Sequence, residues 1–141
     1  MGIKTWFLTA FRELFLYHYK SLEFRAKLFA LIIAPCCESA KEYNLKILEE
    51  IAEEIYKSDK HRQGVLLNLV KEYTNTILRN PSVACDEIIK EINRKVKIDK
   101  KLAKKINMEH LNKFLRTDID ENKQLLQQRI FEFLEEQSKI L

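Results

Sequence analysis

Glycine and proline are nearly missing from this chain of 141 residues: Gly2, Gly64, Pro35 and Pro81 are all it has. Tight sheet turns and phosphate-cradling loops both depend on glycine, so β-hairpins, nucleotide loops and flexible linkers have almost no raw material. An all-α fold is the economical reading. Cysteine is scarce as well. Cys36, Cys37 and Cys85 make an odd total that does not suit a secreted disulfide framework. The adjacent pair has Cα atoms about 3.8 Å apart, too close for an ordinary disulfide, so reduced thiols in a cytoplasm are expected. The longest apolar runs, such as Leu28 to Ala34, fall well short of the roughly 20 residues that cross a bilayer. No signal peptide with a small-residue cleavage site is visible. Neither Gly-x-Ser-x-Gly nor a phosphate loop nor His-Glu-x-x-His occurs, and His18, His61 and His110 are scattered without a paired nucleophile or ligand set. The expectation is a protein that is not an enzyme and uses no cofactor.

What the chain does have is helical periodicity. Ile3, Trp6, Phe7, Ala10, Phe11, Leu14 and Phe15 recur at steps of three and four, an aromatic stripe on one helix. Ser21 can cap a second helix whose centre, "LFALIIA", is apolar all round and belongs in the middle of a core; Pro35 should end it. Ser39 with Glu42 forms a capping box for a third helix, with Ile47, Leu48, Ile51 and Ile55 inward and Glu49, Glu50, Glu53 and Glu54 outward. A fourth starts at Ser58-Asp59 and stops at Asn80-Pro81, and a fifth opens at Ser82 with Cys85, Ile88, Ile89, Ile92 and Val96 on one face. Lys100 to Ile106 reads as a short basic helix. Asn107 caps a seventh helix carrying Met108, Leu111, Phe114 and Leu115; Asp118 caps an eighth carrying Leu126, Ile130, Phe133 and Leu134. With 46% hydrophobic residues, the length suits one core. The predicted architecture is a bundle of seven to eight helices, with 1–20 an aromatic amphipathic N-terminal helix and 21–141 a helical domain. Residues 26–57 and 107–138 each read as a helix, a turn and an acidic helix, a candidate pseudo-repeat.

Charge is unevenly spread. The formal total is +4, yet residues 90–106 carry eight Lys or Arg against Glu91 and Asp99, while 118–137 carry six acids against two bases. Lys100, Lys101 and Lys104 are the candidate basic face, suited to phosphates of nucleic acid or to an acidic surface, although no aromatic residue is interleaved for stacking. Nucleic acid is therefore the lesser alternative. Asp118-Ile-Asp120-Glu-Asn122 opens like a calcium loop, but Lys123 stands where the glycine belongs and Arg129 where the bidentate glutamate belongs. Capping by Asp118 with Glu121 explains these acids better. Adjacent thiols such as Cys36 and Cys37 are poorly spaced for a shared metal, so structural cysteines are the reading there.

"FRAKLFALIIA", a turn, "EYNLKILEEIAEEIY" and the later "DIDENKQLLQQRIFEFLEE" together resemble the TerB-like tellurite-resistance family, including the N-terminal domain of DjlA-type co-chaperones, over residues 22 to 137. The resemblance implies an all-helical domain linked to stress responses, beside membrane-associated or chaperone modules. It also implies an acidic ion-binding cluster. Here Glu42 stands for the family's glutamate, but Pro35, Cys36 and Cys37 replace the Ala-Asp-Gly turn, so the first hairpin lacks its share; Asp118, Asp120 and Glu121 keep acidic character in the second. The His-Pro-Asp of a J-domain is absent. The resulting expectation is an adaptor that binds a protein partner, cytoplasmic or peripheral at the inner membrane. Its candidate contacts are Trp6 and Phe11 for a membrane or partner surface, the three lysines, and the acidic turn. Electrostatic nucleic-acid binding through 90–105 and metal binding at 118–121 are the alternatives.

Overall fold

The computed structural model describes residues 19–37 and 40–140, and their regular structure is entirely helical. In order these are α1 (Lys20–Ile33), a 3-10 turn (Ala34–Cys36), α2 (Lys41–Ile55), α3 (Lys60–Arg79), α4 (Pro81–Ile98), a 3-10 helix (Lys100–Lys105), α5 (Met108–Asn112) and α6 (Glu121–Ser138). The N-terminal stripe with Trp6 and Phe11 lies outside the described residues, as does Ser39.

α1 is the axle of the bundle. A helix that is apolar on every side has no solvent face to keep, so its neighbours must enclose it. Phe24, Ala26, Ala30, Leu31 and Ile32 are wholly buried. α3 makes the largest share of contacts with α1, and α4, α5, α6 and both 3-10 segments close the rest. Each fully buried Leu, Ile or Phe is worth about 1.5–3 kcal/mol of transfer free energy. α2 behaves differently: Ile47, Leu48, Ile51 and Ala52 turn inward while Glu49, Glu50, Glu53 and Glu54 stay exposed. It is attached chiefly to α3.

Several helix ends follow their side chains. Pro35 cannot donate to α1, and the chain tightens into a 3-10 turn there. Asp59 accepts from Arg62 N–H at 3.0 Å, and Asn107 accepts from the N–H groups of Glu109 and His110. Others correct the reading from sequence. α4 begins at Pro81 instead of Ser82, because a fixed φ and a missing N–H suit the first helical position. Residues 100–105, read as a short basic helix, are 3-10, with Leu102 and Ala103 buried. Ile98, at the end of α4, is 74% exposed although apolar. α6 is capped by Asp120, which accepts from Asn122 N–H, and not by Asp118. The reason is local: Gln124 Nε2 ties the carbonyls of Thr117 and Ile119, while Asp118 is held by Arg116. α2 has Ala40 at its cap position without a side-chain bond. The paired hairpins are unequal, since α1 has 14 residues and α5 only five.

α5 stops early because its last turn is diverted into the core. Phe114 is fully buried with its ring 5.9 Å from Phe29, and its carbonyl accepts from Gln127 Nε2 at 3.0 Å. That amide group also donates to Ile32 O at 2.8 Å and lies 3.3 Å from Cys36 Sγ, while Gln127 Oε1 accepts from Arg116 N–H. Cys36 Sγ contacts Ile33 O and receives Asn44 Nδ2. One glutamine thus joins the end of α1, the 3-10 turn, the segment after α5, and α6. Leu126, expected to face the core, is instead 45% exposed; the inward stripe of α6 is Gln127, Ile130, Leu134 and Gln137.

Leaving a buried donor or acceptor without a partner costs about 1–3 kcal/mol each. Gln127→Leu is therefore expected to lower stability by about 2–4 kcal/mol, read as a reduced urea midpoint at unchanged slope. Gly64 sits inside α3 with nothing near the position a Cβ would take. Gly64→Ala should raise the same midpoint, by about 0.5–1 kcal/mol of helix propensity.

Candidate functional site

The residues singled out from sequence do not converge. Lys100, Lys101 and Lys104 are all exposed on the 3-10 helix. Asp118 accepts from Arg116 Nε at 2.8 Å and also from Nη2, and the Arg116 guanidinium lies 4.6 Å from the Tyr43 ring centroid. This bidentate bond holds the Asp118 carboxyl below its usual range and raises the guanidinium. Asp120 is occupied in capping, and Glu121 opens α6 as an exposed first-turn acid. Among the described residues, no group of three or more His, Cys, Asp or Glu is arranged to hold a metal ion. Cys85 offers no ready nucleophile, since burial and then the Asp86 carboxylate push its thiol pKa up.

A site that sequence reading missed lies between α2 and α3. The two helices are joined by a short connection and leave a groove of about 440 Å³, with Leu48 and Val70 in its floor and Leu45, Leu67 and Leu78 along its sides. Leu45 is 50% and Leu78 40% exposed. Thr74 Oγ1 and Asn44 Oδ1, both from residues lining the groove, are buried without a hydrogen-bond partner. Lys41 and Lys71 also line it. The signal for Leu45 was available: it lies outside the Ile47, Leu48, Ile51 face, so its apolar side chain on an otherwise acidic helix asks for a reason.

A second polar cluster sits where α1, α3 and α4 meet. Lys27, with its side chain only 7% exposed, reaches Glu91 at 2.6 Å and Glu23 at 3.1 Å. Tyr73 OH donates to Glu23 at 3.2 Å, its ring lies 5.4 Å from the Lys27 ammonium, and Lys95 meets Glu91 at 3.0 Å. Two cations and two carboxylates balance, which is how a charge becomes tolerable inside a bundle.

No protein-family model, no curated protein and no solved structure matches this chain.

Glu91 gives the cluster a pH signature. Burial pushes its pKa up, but hydrogen bonds from Lys27 and Lys95 outweigh this and hold it below the ordinary value. A depressed folded pKa contributes stability that is present above the unfolded value, about 4.3, and lost as pH falls through the folded value. Urea midpoints measured across that acid range should decline less steeply for Glu91→Gln than for the parent chain; equal slopes would remove Glu91 from the account.

Proposed function

We propose that this chain is a non-enzymatic helical interaction domain that receives an amphipathic helix of a protein partner in the α2–α3 groove. The observation that carries this reading is the groove itself: half-exposed leucines from two packed helices, Leu45 and Leu78, bordering an apolar trough, the kind of surface that receives an amphipathic helix. Lys41 and Lys71 suit acidic residues flanking the partner's apolar stripe. The resemblance to TerB-like domains would place that partner in a membrane-associated stress-response or chaperone assembly; the groove speaks only for an apolar helix.

A second reading rests on the exposed basic residues of segment 90–105, which would hold nucleic acid electrostatically with steep salt dependence. The two are separated by one experiment. A tagged chain captures its partner from nuclease-treated lysate of its source, beside a Leu45→Asp/Leu78→Asp variant and a Lys100→Glu/Lys101→Glu/Lys104→Glu variant, each verified as helical by circular dichroism. The groove variant should lose the captured protein and the lysine variant retain it. Retention by the groove variant, or capture that vanishes with nuclease, overturns the groove reading.

A further inference from the structure

A small cavity of about 110 Å³ lies between α1 and the 100–111 segment, sharing no lining residue with the α2–α3 groove. Its apolar walls include Phe29 and Leu111, and its charged lining is of one sign: Arg25, Lys104 and Lys105. Arg25 is fixed in place, since Nη1 donates to Tyr56 OH at 3.0 Å and the guanidinium lies 5.6 Å from the Tyr56 ring centroid. Among the described residues, neither Lys104 nor Lys105 forms an ion pair. Two uncharged polar residues complete the lining: Asn107, whose Oδ1 is taken by the N–H groups of Glu109 and His110, and His110, 6% exposed, whose Nε2 meets Glu54 Oε2 at 3.2 Å and whose Nδ1 is buried without a partner. Glu54 is largely exposed and not part of the lining, so three cations face the cavity against one carboxylate behind the imidazole.

We propose that this cavity binds a phosphate monoester. The cavity is small, so it admits the phosphoryl group and leaves whatever carries that group outside. Two independent features select the group. Fixed guanidinium geometry and two adjacent ammonium groups recognise the oxygens of an anion. His110 then discriminates among such anions. An ionised Glu54 only accepts, so the proton of a neutral imidazole lies on Nε2 and its Nδ1 needs a donor. A singly charged phosphate monoester supplies that donor from its P–OH, and the doubly charged form accepts from Nδ1–H when the ring is charged; fully ionised sulfate can only accept. The site extends beyond the groove reading and does not depend on it.

The test is a titration of the full chain followed by the ring nitrogens of His110 in heteronuclear NMR. Glycerol 3-phosphate is the soluble probe, sodium sulfate at equal ionic strength the competitor, and phosphatidylcholine vesicles with or without phosphatidic acid the lipid probe, with co-sedimentation as their readout. Glycerol 3-phosphate is expected to shift His110 saturably, with sulfate weaker. Lys104→Gln/Lys105→Gln, altered only at exposed positions, should bind about tenfold more weakly through lost charge-assisted contacts. Binding confined to phosphatidic acid vesicles and weakened by the same double substitution would assign the phosphoryl group to a lipid headgroup and support the site equally. Shifts that track ionic strength alike in parent and double variant, or no response to either phosphate probe, would overturn it.

Discussion

The hydrogen bonds of one buried amide hold the end of the central helix. Proline at position 35 takes away a donor just where α1 needs its last carbonyls satisfied. Gln127, 95 residues further along the sequence, donates to the carbonyl of Ile32, next to the Leu31 carbonyl that Pro35 leaves without its helical donor. The same side chain takes the Phe114 carbonyl and the Arg116 N–H, so the path between α5 and α6 is dictated by it. From that path follow the early end of α5, the Arg116 and Asp118 pair, and the start of α6 at Asp120. Cys36 belongs to this arrangement as a small, polarizable filler that touches Asn44 and Gln127, which accounts for a thiol beside the break in the chain.

A second, charged arrangement works on a different side of α1. Lys27 is enclosed by Glu23 and Glu91, with Tyr73 bridging from α3, so α1, α3 and α4 share one set of charges. Hydrophobic contacts between these helices tolerate some sliding, whereas an enclosed ammonium between two carboxylates fixes the rotation of each helix about its axis. The pattern is economical, because the apolar face of α1 alone could not choose among equivalent neighbours.

Legibility in the sequence followed burial type. The all-α class, the central helix with "LFALIIA", the stop at Pro35 and the caps at Asp59 and Asn107 were readable, because each rests on local chemistry within one turn. Leu126 was misplaced because a glutamine is ordinarily a surface residue; the stripe of Gln127, Ile130, Leu134 and Gln137 has the correct steps but polar ends. The starts expected at Asp118 and Ser82 moved to Asp120 and Pro81, where neighbouring side-chain bonds and proline geometry chose among adjacent positions. Lys27 stood out inside an apolar run with Glu23 four residues before it, yet its partner Glu91 is 64 residues on and out of reach of any local rule. The groove and the Arg25 cavity are gaps between elements, and gaps leave no periodicity to read.

The long span bridged by Gln127 also sets an order of events during synthesis. While the chain is being made from its N-terminus, α1 to α4 can associate through Lys27 and their apolar stripes before residue 127 is free to dock. Until it arrives, the end of α1 and the turn at Cys36 lack the bonds that seal them. A nascent chain at that stage exposes a thiol and unsatisfied backbone at the axis of its own core, and completion of the C-terminal helix closes both at one stroke.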